Sequence, residues 1–300
     1  MASQGSRRRS EYGDGDGIDW LSNLPEELLL LILGCLTRFW NLRAAARTSV
    51  LSRRWRHLWK GLPGLAFNDV DPESVDAVLA QQVIRPVLSE LCIIFEKAAV
   101  PSPRVSSILR AAEQLAPESF AICVDVNTEK NHCIELPCFG RTVSLYLDMV
   151  GVRLRVRPPP SGQFTMLERL SLNADYMNPA TLLPMCPFVR DLSIGQCRGL
   201  DVLTVHSASL EVLSVSTTNS DICRIDINAP VLKDVKVNVY TSVEEEFTVL
   251  FSAPMVNKLD WVCHGGFSIG FGIWRLERIS ERKLHGSYVV SLCIESYIEN

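Results

Sequence analysis

Apolar positions along this chain follow two different periods, and the change from one to the other divides it. Leu28, Ile32 and Leu36 recur every four residues with Leu29 and Leu33 beside them, which predicts a wide apolar face on a helix of about 12 residues. Pro25 suits the first helical turn, where a missing N–H costs nothing, and Glu26 and Glu27 suit the positive end of the helix dipole. A second helical stretch is predicted from about Leu42 to Leu58. It carries Val50, Leu51, Trp55, Leu58 and Trp59 on one side and five arginines between Arg43 and Arg56 largely on others, and Gly61, Pro63 and Gly64 end it. Residues 66–117 mix helical spacing (Val75, Val78, Leu79, Val83) with Pro86, Pro101, Pro103 and Pro117 as breakers. Two or three short helices are expected there, the stretch from Val105 to Leu115 being the most helical.

Beyond residue 118 the period shortens to that of strands. The pattern L-x-x-L-x-L, with Ile or Val allowed, runs through Leu167/Leu170/Leu172, Val189/Leu192/Ile194, Leu210/Leu213/Val215, Leu232/Val235/Val237 and Val256/Leu259/Trp261. Successive starts differ by 22, 21, 22 and 24 residues, the period of stacked leucine-rich repeats. Cys197 stands where such repeats favour Asn or Cys. A second set, Leu200/Leu203/Val205 and Ile222/Ile225/Ile227, is interleaved ten residues before the next main strand. Only a strand fits so short a return, so some repeats are expected to carry a strand on the outer face as well. Weaker echoes at Thr142/Leu145/Leu147 and Val289/Leu292/Ile294 predict a solenoid that begins before 145 and still runs near 294.

Charge sharpens the division. The 300 residues carry a net charge of −4, yet residues 18–65 hold seven Lys and Arg against three Asp and Glu. A small basic module thus precedes a large acidic one. The module holds more apolar residues than under ~50 residues can bury against themselves, so its surplus face is expected to dock on something. Residues 1–17 are polar and Gly-rich, with no periodic apolar face, and read as a disordered arm.

The residues of the module carry a specific likeness. Ile18-Asp19-Trp20-Leu21-Ser22-Asn23-Leu24-Pro25-Glu26-Glu27-Leu28, followed by the string RTSVLSRRWRHLW from Arg47 to Trp59, resembles the plant-type F-box. Together with the repeats behind it, the chain looks like the plant F-box/leucine-rich-repeat proteins. The expected fold is α+β: a small all-α F-box helical module, then a curved leucine-rich-repeat solenoid rich in short parallel strands. The expected organisation is the arm over 1–17, the F-box over 18–65, a helical linker region over 66–117 and the repeat domain over 118–300.

Other chemistry is sparse. Ten cysteines are scattered singly with no Cys-x-x-Cys pair, which points to a reducing compartment rather than a disulfide framework. Five histidines lack His-Glu-x-x-His or zinc-finger spacing. Gly265-x-x-x-x-Gly270 opens like a phosphate loop, but Phe271 stands where the lysine must be. The apolar run Leu28–Leu36 is less than half the ~20 residues of a membrane helix. No cofactor, metal, nucleic-acid or membrane partner is expected.

The resemblance implies a substrate receptor of a Skp–cullin–F-box ubiquitin ligase in the cytoplasm, the nucleus or both. Such a subunit does no chemistry itself, docks on a Skp-type adaptor, reaches cullin through it, and holds a client protein on its repeats. The alternative is a repeat scaffold that binds the adaptor without cullin. Adaptor-binding residues are expected to be Leu24, Pro25, Leu28, Ile32, Leu36, Val50, Leu51 and Trp55. The client is expected on the concave face, on strand residues that alternate with the inward ones. These are Arg169 and Ser171, Asp191 and Ser193, Val212 and Ser214, Asp234 and Lys236, Lys258 and Asp260.

Overall fold

A computed structural model describes residues 24–37, 47–80, 88–127, 132–151, 154–174, 176–196, 199–217, 222–240, 248–264, 279–284 and 287–295. The arm over 1–17 and the glycine loop at 265–270 lie outside them. The first helix, α1, spans Glu26–Thr37, and the Pro25 carbonyl accepts from the N–H groups of Leu28 and Leu29 at 3.1 and 3.2 Å. The expected second long helix is not continuous. The chain forms a 3-10 turn over Thr48–Val50, turns through 51–54, and resumes as a single α turn, α2, over Trp55–Leu58. Thr48, Ser49, Val50 and Ser52 explain the break, since β-branched and hydroxyl side chains disfavour a helix interior.

Residues 66–117 depart further from expectation. They hold two helices, α3 (Pro72–Ala80) and α4 (Ser102–Leu115), but also most of strand β1 (Gly64–Asn68) and the whole of β2 (Glu90–Pro101). Arg104 ties the helices together, donating to Asp76 at 2.8 Å and Glu73 at 3.3 Å. The later strands are β3 (Ser119–Asn127), β4 (His132–Glu135), β5 (Ser144–Val150), β6 (Leu154–Arg157), β7 (Arg169–Ala174), β8 (Asp191–Ile194), β9 (Val202–His206) and β10 (Val212–Ser216). After them come β11 (Arg224–Asn228), β12 (Asp234–Tyr240), β13 (Thr248–Ser252), β14 (Lys258–His264), β15 (Ile279–Leu284) and β16 (Ser287–Glu295).

Eleven of these strands form one sheet in the order β1-β2-β3-β5-β7-β8-β10-β12-β14-β16-β15. It is parallel from β1 to β14, as each strand returns to the same edge through a helix or an outer strand. Two apolar ladders cross it without a gap. One runs Leu65, Leu91, Phe120, Leu145, Leu170, Leu192, Leu213, Val235, Leu259, and the other runs two residues further along each strand, from Phe67 to Trp261. Every member is buried, and Trp261 meets Phe251 of β13 edge-on at 6.3 Å. Such register is strongly held, because a one-residue slip would turn a whole ladder outward.

The second layer holds outer strands, of which the interleaved set predicted β9 and β11. β9, β11 and β13 make a three-stranded parallel sheet with Leu203, Ile225 and Val249 in register, and β4 pairs with β6. The echo at Leu145 and Leu147 is β5. The echo at Val289, Leu292 and Ile294 is a different element: β16 lies antiparallel to β14 and is followed across the sheet by β15, also antiparallel to it. The parallel ladder therefore does not continue through 294 but is met by a reversed hairpin. No described helix is long and apolar enough to cross a membrane.

Candidate functional site

α1 is apolar on two opposite sides, which is the pattern of a helix lying between two bodies. Leu29 and Leu33 face inward and are fully buried, joining Trp55, Leu58, Leu62 and Leu65 in a core continuous with the sheet. Leu24 is half-buried against the same core, and its carbonyl accepts from the Arg54 guanidinium. That bond ties the start of the module to its arginine-rich string.

The other side is bare. Leu28, Leu31 and Ile32 are exposed, Leu31 at 65%. Val50 at 87% and Leu51 at 63% leave the same module equally uncovered, and Pro25 is exposed beside them. Each such side chain is stabilised by about 1.5–3 kcal/mol when a partner covers it. Of the expected adaptor residues, the structure thus brings Pro25, Leu28, Ile32, Val50 and Leu51 to the surface. Leu36 lies in the last turn of α1, and its side chain lies outside the described residues. Trp55 differs from the others: at 6% exposed it is covered within the chain, in the core with Leu29, Leu33 and Leu58. Leu31 was missed. Its signal was the stripe 28, 31, 32, 35 at helical spacing, which separates from the 29, 33 stripe once two apolar faces are allowed.

On the sheet, strand alternation places the ten client-face residues together on the face turned away from the second layer, all exposed or half-buried. Ser171, Ser193, Ser214, Lys236 and Asp260 stand in one register column, and Arg169, Asp191, Val212, Asp234 and Lys258 in the next. Tyr146 precedes Ser171 in its column. Near it lies a polar cluster that sequence reasoning missed. Asp148 accepts from Asn173 Nδ2 at 2.9 Å, Tyr146 Oη at 3.4 Å and Cys123 Sγ at 3.7 Å, while Asn173 Oδ1 accepts from the Gln196 N–H at 2.9 Å. Its members come from four strands or their ends, so nothing in linear spacing announces it.

Burial pushes the thiols of Cys92 and Cys186 up to about 12. Burial and the neighbouring Asp148 push Cys123 up to about 11. All three stay protonated at neutral pH, and the thiolate is the reactive form. His206 meets Asp226 at 3.1 Å and Arg224 meets the same carboxylate at 3.3 Å, a surface ion cluster on β9 and β11. No group of three His, Cys, Asp or Glu among the described residues is arranged to hold a metal. Iodoacetamide labelling followed by mass spectrometry is expected to modify the exposed Cys35 and Cys133 in the native chain, and Cys92 and Cys186 only after denaturant is added. Fast native labelling of Cys92 would contradict its burial.

Comparison with known proteins gives relatives of one kind. An F-box/LRR-repeat protein of Arabidopsis thaliana is 24% identical over 303 aligned positions, covering 89% of this chain and 62% of the relative. An F-box/FBD/LRR-repeat protein of the same plant is 26% identical over 298, covering 89% and 63%. F-box/LRR-repeat protein 13, also from Arabidopsis, is 25% identical over 273, covering 82% and 60%. The chain spans under two thirds of the length of these relatives. No family model matches it, and no solved structure does.

Proposed function

We propose, for a chain similar over most of its length to plant F-box/leucine-rich-repeat proteins, that it is the client-recognition subunit of a Skp–cullin–F-box ubiquitin ligase. In this reading residues 18–65 are the docking module. A Skp-type adaptor covers the outer side of α1 and the Val50–Leu51 turn, and cullin is reached through that adaptor. The sheet presents the client, and ubiquitin transfer belongs to other subunits, so this chain contributes proximity. The observation that carries the reading is the uncovered apolar side of the module: Leu28, Leu31, Ile32, Val50 and Leu51 are exposed on a small basic module that has already filled its inward side.

The test is affinity purification of the full chain from plant cells with the proteasome blocked. A Skp-type adaptor and a cullin in stoichiometric amount support the reading. Adaptor without cullin would favour a scaffold role, and neither would remove the assignment. In the same experiment, exchanging Ser193 and Ser214 for Arg is expected to eliminate the proteins that co-purify only when the proteasome is blocked, while leaving the adaptor band unchanged. Both serines are half-buried on the open face and outside the apolar ladders, so the fold is spared. An unchanged client set would move the client off this face.

A further inference from the structure

A second surface runs along the edge of the sheet where its parallel strands begin. The turn before each main strand repeats, so equivalent positions stack one strand apart. One such position holds Met166, Phe188, Ser209, Val231 and Met255 in successive repeats, and Met166, Phe188 and Met255 are each more than half exposed. Two residues further on stand Glu168, Arg190, Glu211 and Lys233. Between these rows lies an open groove of about 680 Å³, which extends from Val143 to Met255.

Three features define what fits it. The groove passes six neighbouring strands, β5 to β14, and five steps of ~4.8 Å make ~24 Å, the length of about seven residues of extended chain. That is too long and too open for a compact small molecule. Three of the charges along it form one cluster: Lys233 reaches Glu211 at 2.7 Å and Arg190 lies 3.8 Å from the same carboxylate. Two acids and two bases leave the row with no net charge, so charge complementarity selects an uncharged occupant. Finally, the apolar row is notched. Ser209 is its one small member, and its hydroxyl already donates to the Val189 carbonyl at 2.7 Å. Phe188 and Val231 stand on either side, two strand steps or ~9.6 Å apart, which leaves the width of one large side chain.

We propose that this rim binds an extended, uncharged segment of a partner protein, about seven residues long, which seats one bulky apolar side chain over Ser209 between Phe188 and Val231. Identifying that partner as a client rests on the receptor reading above; the chemistry of the groove does not.

The experiment uses the full chain and fluorescent heptapeptides capped at both ends, with Phe, Leu, Met or Ala at the centre and Ser, Thr or Asn elsewhere, read by polarisation. The bulky-centred peptides are expected to bind about tenfold tighter than the Ala peptide, the scale set by burying one such side chain. Raising salt about tenfold is expected to change this by less than about twofold, since no net charge is involved. Ser209→Phe, which plugs the notch, and Phe188→Ser, which removes an exposed wall, are each expected to weaken binding about tenfold; the melting midpoint should be unchanged for Phe188→Ser and slightly lower for Ser209→Phe, which also loses the bond to the Val189 carbonyl. Using two variants separates loss of the notch from loss of the Ser209 hydrogen bond. Equal binding of all four peptides, full binding by both variants, or preference for charged peptides would overturn the proposal. Self-association of the chain that Ser209→Phe abolishes, with no peptide bound, would also overturn it by giving the groove to a second copy. A parallel adaptor pull-down keeps the two readings apart: peptide binding without adaptor binding leaves the rim standing and removes the ligase assignment, and the reverse removes only the rim.

Discussion

Replacing Leu31 and Leu51 together by Asp is expected to abolish binding of a Skp-type adaptor without moving the melting midpoint of the chain. Both side chains are mostly in water, at 65% and 63% exposure, so a carboxylate costs the free chain little. In the complex each would be buried without a partner, at several kcal/mol apiece, which corresponds to a ~10³-fold loss or more. Pull-down or calorimetric titration with the purified adaptor reads the effect. Undiminished binding by a well-folded double variant would sink the docking surface.

Trp55→Ala is expected to behave in the opposite way. Trp55 is 6% exposed in the core that joins the module to the sheet, and truncating so large a buried ring costs about 3–5 kcal/mol. A domain is commonly stable by only ~5–15 kcal/mol, so the urea midpoint should fall steeply. Adaptor binding should fail only in proportion to the unfolded fraction. A variant of normal stability that no longer binds adaptor would return Trp55 to the contact surface and refute its assignment to the core.

The contrast between Leu31 and Trp55 shows where linear reading stops. The apolar surplus of the first sixty residues was legible, because hydrophobic spacing reports that faces exist. Which face meets the sheet depends on β1, and β1 was read as the start of a linker. The repeats from Leu167 onward were legible because their starts are 21 to 24 residues apart. Leu62/Leu65/Phe67 and Leu88/Leu91/Ile93 obey the same L-x-x-L-x-L pattern once Phe is admitted, and they mark β1 and β2. They fall out of step with the later repeats because the intervals there are 26 and 29 residues, with α3 and α4 between the strands. A helix rises 1.5 Å per residue where a strand rises ~3.3 Å, so a helical return consumes more chain. The outer strands β9 and β11 were legible from their ten-residue offset. The reversal of β16 was not, since alternation is the same whichever way a strand runs.

The unbroken parallel pairing from β1 to β14 also acts as a ruler. Strand β10, which follows the notch at Ser209, stands six strand steps from β1, an arc of ~29 Å at ~4.8 Å per step. Because α1 and α2 share one core with β1, that reach does not depend on a hinge. Inserting or deleting one repeat would lengthen or shorten it by a single step and rotate everything beyond by roughly 20–25°. In the receptor reading proposed above, a segment held near β10 would thereby present a different set of its lysines for ubiquitin transfer, with no change in how tightly either end is gripped.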